Sequence, residues 1–254
     1  MIIIKSEKEI ELMRQGGKLL AQIMERLGEM VIPGQNTYEI NKLARKLVFD
    51  IKGVPVFEGY GDPKRPYPAV ICASINNEVV HSIPSKDKIL QEGDILKIDI
   101  GMRYSGMITD MTRTFSVGKI SPEAQKIVDV TREALDKGIG KIKAGAKLSE
   151  YSRTVDGYAK ANGFSVVRDL VGHGVGRELH EDPQIPNYFS PGMREIVLQE
   201  GMTLALEPMI NEGTHYVKVM SDGWTYATKD GKLSAQFEDT IVVTKDGAEI
   251  LTRV

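Results

Sequence analysis

Residues 91–101 read QEGDILKIDIG and residues 199–209 read QEGMTLALEPM. Each stretch opens with Gln-Glu-Gly, continues as an apolar run and presents one carboxylate at the same distance, Asp99 in the first and Glu207 in the second. Both acids lie where a strand would be buried. Burying an ionised carboxylate costs on the order of several kcal/mol unless an arginine, a hydrogen-bond network or a metal ion compensates it. Two further acids share this character. Asp110 follows Asp99 across IGMRYSGMIT, whose central Ser-Gly suits a hairpin that would set the two carboxylates roughly opposite on neighbouring strands. Glu238 enters the apolar run of AQFEDTIVVT.

The chain has four histidines. His81 in VVHSIPS, and His173 and His180 in LVGHGVGRELHEDP, lie beside prolines or glycines, and Gly172, Gly174 and Gly176 argue for backbone that needs close approach or positive φ. A histidine in such a loop often does no more than satisfy turn hydrogen bonds, so any one of them alone carries little. His215 in GTHYVKV reads as an ordinary strand-edge residue. Taken together, Asp99, Asp110, Glu207, Glu238 and one imidazole nitrogen offer four negative charges and one neutral donor, which two divalent ions would balance. Such an oxygen-rich set suits manganese, iron(II), cobalt or zinc, and the lack of a cysteine cluster excludes a zinc finger.

The elements that must position these residues come in two copies. Apolar residues at Ile10, Met13, Leu20, Ile23, Met24 and Leu27 predict a helix over residues 6–30, and a second stripe begins at Thr37. Ser121-Pro122-Glu123 then starts a third helix, and KAGAKLSEY leads into a fourth. A shift of 111 residues places Gly34 on Gly145, Glu39 on Glu150 and Ala44 on Val155. Strand patterns follow each helix pair, among them AVICASI, DILKIDIGMRY, MITDMTRTF, FSVVRDLVG, GMTLALEPMI, HYVKVM and QFEDTIVVT. The fold class expected is α/β (α+β): one domain over residues 1–254, with pseudo-twofold halves of about 1–118 and 119–254. A curved, largely antiparallel sheet would carry helices on one face and bring Asp99 and Glu207 toward one cleft.

Thirty-three basic and thirty-five acidic residues give a net charge of -2, so no basic field points to nucleic acid or to an anionic membrane. The single cysteine, Cys72, has no internal partner, and the N-terminal run is too short for a signal peptide or a span. A cytoplasmic protein is expected.

The segments KIDIGMRYSGMITD, GHGVGRELHEDP, LEPMI and SAQFEDTIVVT, in this order and spacing, resemble type I methionine aminopeptidases of the bacterial type, without the zinc-binding N-terminal extension. The resemblance implies the pita-bread (creatinase/aminopeptidase) fold and two divalent metal ions on Asp99, Asp110, His173, Glu207 and Glu238. It further implies substrate contacts from His81 and His180, a proton-shuttle role for Glu207 and a methionine pocket walled by Tyr67, Cys72 and Trp224. Its substrate class is the N-terminal methionine of peptides and nascent proteins whose second residue is small, handled by a monomer in transient proximity to the ribosome. A chain that opens Met1-Ile2 would keep its own methionine. Three positions depart from the pattern and bear on the pocket shape and the surroundings of the ligands: Leu179 stands where some members carry an aromatic pocket residue, Ser82 replaces a glycine, and Asp239 stands where histidine is frequent. Two rival readings are an aminopeptidase P or prolidase acting on Xaa-Pro bonds, and a non-catalytic peptide-binding module. The first usually has an additional N-terminal domain, and the second loses metal ligands.

Overall fold

The computed structural model describes residues 2–254, and Met1, whose retention is expected above, lies outside them. Helix α1 spans Glu7–Gly28 and begins with a capping box, in which the Ser6 side chain accepts from Glu9 N–H while the Glu9 carboxylate accepts from Ser6 N–H. Helix α2, Thr37–Asp50, is capped by the Asn36 side chain. Helix α3, Pro122–Ile139, uses Ser121 as its cap with proline in the first turn. Helix α4 covers Leu148–Ala161.

The duplication read from the sequence recurs in hydrogen bonds. Gly34 and Gly145 both have positive φ, 88° and 83°. Gly34 N–H donates to Leu90 O at 2.8 Å and Gly145 N–H to Leu198 O at 2.9 Å. Beside them Asn36 bridges Ile89, and Lys147 bridges Val197. Each helix pair is therefore docked in the same way onto the segment that leads into its acid-bearing strand.

The main sheet runs in the order Val54–Pro55, Ile95–Tyr104, Met107–Ser116, Glu238–Val243, Thr203–Leu206, Gly172–Gly174, Glu181–Ile185, with Cys72–Ile75 added to the second strand and Ala248–Ile250 to the fourth. All of its pairings are antiparallel. FSVVRDLVG, read as one strand, forms only the short pieces Ser165–Val166 and Gly172–Gly174. His215 lies in a bend just before the strand Val217–Val219.

Side-chain alternation along the strands sorts the core. Leu96, Ile98, Ile100, Met102 and Met111 pack with Leu20, Met24 and Leu27 of α1 and Ile40, Ala44 and Val48 of α2. Leu204, Leu206, Ile241 and Val243 pack with Ile127 and Leu135 of α3 and Tyr151 and Val155 of α4. The intervening residues point to the opposite face, where Asp99, Asp110, Glu207 and Glu238 are found. Lys97, also on that face and fully buried, donates to Asn76 O at 2.7 Å and Ser234 O at 2.9 Å, tying the first acid-bearing strand to the segment that leads to Glu238. Burial lowers its pKa to about 7. This is the pita-bread fold. Among the described residues no helix is long and apolar enough to cross a membrane.

Two helical glycines make the packing testable. A Cβ on Gly17 of α1 would lie 2.2 Å from Leu251 O, a backbone atom that cannot swing away, whereas a Cβ on Gly157 of α4 would meet nothing within 4 Å. Gly17→Ala is expected to destabilise the protein by about 1–3 kcal/mol, and Gly157→Ala to stabilise it by about 0.5–1 kcal/mol. Urea unfolding of both variants measures the contrast, and equal effects would contradict the docking of α1 on the C-terminal segment.

Candidate metal centre and substrate pocket

A two-residue turn at Ser105 and Gly106, both with positive φ, closes the hairpin between Ile95–Tyr104 and Met107–Ser116. Its register pairs Asp99 with Thr112 and Gly101 with Asp110. The two aspartates, expected roughly opposite each other, are diagonal neighbours on one face, close enough for the Asp99 charge to act on Asp110.

Two rows of side chains cross the sheet on that face. In one, Asp99 is opposite Thr112 and Thr112 opposite Glu238, and the Thr112 hydroxyl donates to Glu238 Oε2 at 2.9 Å. In the other, Asp110 exchanges hydrogen bonds with Thr240, Thr240 is opposite Ala205, and Ala205 is opposite His173. Ala205, between them, is fully buried. Glu207 follows two residues later on the same face, and Gln236 Nε2 donates to its Oε2 at 3.1 Å. His173 approaches Glu207 Oε1 to 3.6 Å through Nε2.

The glycines around His173 answer to close packing of backbone. A Cβ on Gly172 would lie 2.5 Å from Ala205 O, and one on Gly174 would lie 2.2 Å from Asp182 O. His173 Nδ1 is 2.9 Å from Gly174 O, an acceptor only, so Nδ1 carries the proton and Nε2 turns its lone pair into the cleft. Burial, followed by the charge of His180, lowers the His173 pKa to about 3, which keeps the imidazole neutral.

Asp110, His173 and Glu238 present donor atoms within 4.8 Å of one another, and Asp99 and Glu207 line the same cleft. Burial raises all four carboxyl pKa values well above the ordinary range. The next cause is the charge of Glu238 for Asp99 and Glu207, of Asp99 for Asp110, and of Asp110 for Glu238. Asp99 Oδ1 and Glu238 Oε1 are buried without a hydrogen-bond partner. Orphaned oxygens, crowded anions and a neutral imidazole held by its other nitrogen together fit divalent cations, which neutralise the repulsion and take the free lone pairs.

The cleft continues into a pocket walled by Phe57, Tyr60, Tyr67, Cys72, Leu179 and Trp224, with His81 and His180 at its side. Cleft and pocket together, with the open mouth, enclose about 520 Å³. Tyr67 OH lies 3.0 Å from Ser82 O and 3.1 Å from Ile71 O, and its ring meets Trp224 edge-on at 5.3 Å between centroids. Burial, then the charge of Asp99, raises the Cys72 pKa, so the thiol stays protonated and acts as an apolar wall. His81 adopts φ 58°, a left-handed conformation uncommon for a non-glycine residue, and burial followed by the His180 charge lowers its pKa to about 4. Burial also lowers the pKa of His180, whose ring lies 4.3 Å from that of His173.

Of the three departures, Leu179 is buried in the pocket wall. The Ser82 hydroxyl turns toward Glu78, to which it donates at 2.8 Å. Asp239 lies on the helix-bearing face, where Arg113 at 2.7 Å, Arg253 at 2.8 Å and the Thr252 hydroxyl at 2.9 Å hold it. Its side chain therefore does not enter the surroundings of the ligands, because it alternates with Glu238. Phe57, Tyr60 and Thr112 are site residues that the sequence did not single out, and no local spacing marks them.

Raised carboxyl pKa values favour the protonated form on folding, so across the window where the folded site still holds its protons the metal-free protein loses stability as pH rises. The depressed histidine values act in the opposite sense, but only below the ordinary histidine pKa of 6.5. Above pH 7 the carboxylates respond in this sense, and buried Lys97, whose pKa burial lowers to about 7, responds in the opposite sense whether or not metal is bound. Thermal melts from pH 7 to 9 should show a falling Tm after chelation and a much flatter profile with divalent metal bound. Coincident profiles with and without metal would mean that the four acids do not titrate as a buried cluster.

The sequence profile of metallopeptidase family M24 matches residues 11–245. The chain is 45% identical over 252 residues to a methionine aminopeptidase of Clostridium acetobutylicum, with 99% of each chain covered. The crystal structure of a methionine aminopeptidase from Thermotoga maritima superposes with a TM-score of 0.96 at 44% identity over 100% of both chains. A prolidase from Pyrococcus furiosus shares the fold at a TM-score of 0.79 and 24% identity, covering 99% of this chain and 66% of that one. The chain belongs to metallopeptidase family M24, among its bacterial-type methionine aminopeptidases.

Proposed function

We propose that this protein removes the N-terminal methionine from peptides and nascent proteins whose second residue is small. The observation that carries this reading is the continuity of slot and carboxylates. Cys72, in the pocket wall, is the cross-strand partner of Asp99, so the apolar slot ends one strand spacing, about 4.8 Å, from the candidate ligands. A methionine side chain is flexible and polarizable and suits the aromatic edges of Tyr67 and Trp224 beside the thiol. With that side chain in the slot, the first peptide bond lies beside Glu207 and His180.

Asp99, Asp110, His173, Glu207 and Glu238 would hold two divalent ions, drawn from cobalt, manganese, iron(II) or zinc. When bound, such ions supply Lewis acidity and lower the pKa of water toward neutrality. Gln236 fixes Glu207 Oε2, and the other oxygen of this carboxylate passes a proton to the leaving amine. Neutral His180 donates a hydrogen bond to the carbonyl oxygen as charge develops there, and His81 orients the substrate backbone. Residues 1–254 act as one catalytic domain, a monomer in the cytoplasm that meets its substrates as they leave the ribosome.

Metal-reconstituted protein is expected to release methionine from Met-Ala-Ser and to leave Met-Ile and Ala-Pro peptides intact, as followed by mass spectrometry. Preference for Ala-Pro would replace this reading with prolyl specificity, and no turnover of any peptide would favour a binding module. His180→Ala is expected to lower kcat by about 100-fold with little change in KM; a raised KM at unchanged kcat would remove His180 from the donor role.

A further inference from the structure

The Tyr60 hydroxyl lies 2.6 Å from His180 Nδ1, and the two rings meet edge-on with centroids 5.1 Å apart. We propose that Tyr60 is a positioning residue for His180: its phenol donates to Nδ1, which leaves the proton on Nε2 and turns that N–H into the cleft toward the reacting carbonyl oxygen. The inference rests on the donor role assigned to His180 above.

A neutral imidazole carries one proton, on either nitrogen, and the hydrogen bond made by one nitrogen selects the state of the other. A phenol is a stronger donor than an imidazole N–H and a weaker acceptor than an imidazole lone pair, so the O–H···N arrangement is favoured. The reverse tautomer would aim a bare Nε2 lone pair into a cleft already lined by four carboxylates and would give the carbonyl oxygen no donor.

The segment that carries Tyr60 is built to hold it there. Tyr60 N–H donates to Phe57 O at 2.9 Å, and Gly59 and Tyr60 exchange backbone hydrogen bonds with Tyr67, both at 2.8 Å. Gly61, at φ 94°, lies against the Trp224 indole so closely that a Cβ would come within 2.6 Å of it. Tyr60 is thus anchored to two walls of the methionine slot. The residue is nevertheless 42% exposed, so packing in a core does not explain its inward-turned hydroxyl.

The test uses zinc-loaded, diamagnetic protein with 15N-labelled histidine, together with Tyr60→Phe, His180→Ala and the double variant. Long-range 1H–15N spectra should show His180 as the Nε2–H tautomer in the unaltered protein and as a mixture in Tyr60→Phe. On Met-Ala-Ser, Tyr60→Phe should lower kcat about three- to tenfold at unchanged KM, and should have no further effect once His180 is alanine. An Nδ1–H tautomer in the unaltered protein, an unchanged spectrum and kcat in Tyr60→Phe, or full additivity with His180→Ala would overturn the proposal. Absence of turnover by the unaltered protein would instead refute the activity, while the spectra would still decide the part played by Tyr60.

Discussion

Four carboxylates, Asp99, Asp110, Glu207 and Glu238, crowd one water-poor cleft, and their mutual repulsion is the constraint to which the surrounding structure answers. Each has its pKa pushed up by burial and by its neighbours, so without cations the folded chain carries an electrostatic cost at the place where it is most tightly built. The strands bear that load through backbone ladders and through clamps on the reverse face. Arg113 donates to Glu238 O at 2.5 Å and Thr112 O at 2.9 Å while pairing with Asp239, so the two strands at the centre of the site are pinned from behind. Removing one partner of such a buried pair is costly because the other charge remains unpaired. This gives Asp239 a role in holding the ligand strands without touching the cleft.

Strand alternation is what allows one sheet to serve both purposes. Ile98 and Ile100 face the helices while Asp99 faces the cleft, and Leu204 and Leu206 do the same around Ala205. A register slip of one residue would bury the acids against α1 and expose the apolar side chains. The duplicated docking of each helix pair, through Gly34 and Leu90 in one half and Gly145 and Leu198 in the other, holds both acid-bearing strands at the same height. The sheet thereby brings acids from distant parts of the chain to one cleft.

The proposed methionine slot is built onto the same framework. Cys72 is paired across strands with Asp99, and Tyr67 is fixed by Ser82 O and Ile71 O. Leu179, buried where an aromatic residue was the alternative, leaves the sulfur-aromatic contacts to Tyr67 and Trp224. The pocket wall and the acids therefore share one strand pairing, which in the proposed function would couple shape selection to the chemistry.

Much of this was legible in the linear sequence because it is encoded locally. Amphipathic periods, Ser6 and Ser121 as caps, and the Ser105-Gly106 turn each depend on residues within a few positions of one another. The lone acids at Asp99 and Glu207 stood out because ionised groups do not belong in apolar runs without compensation. Which partners they meet was not legible in that way, since Thr112 reaches Glu238 across 126 residues and Tyr60 reaches His180 across 120. The diagonal placement of Asp110, the reverse-face position of Asp239 and the inward turn of the Tyr60 hydroxyl follow from strand register and loop anchoring. By itself the sequence determined the duplicated elements and the presence of buried acids, because propensity and patterning act over a few residues. Only the tertiary structure decided which acids share a cleft and what faces them, because register between strands distant in sequence is set by the packing of the whole sheet.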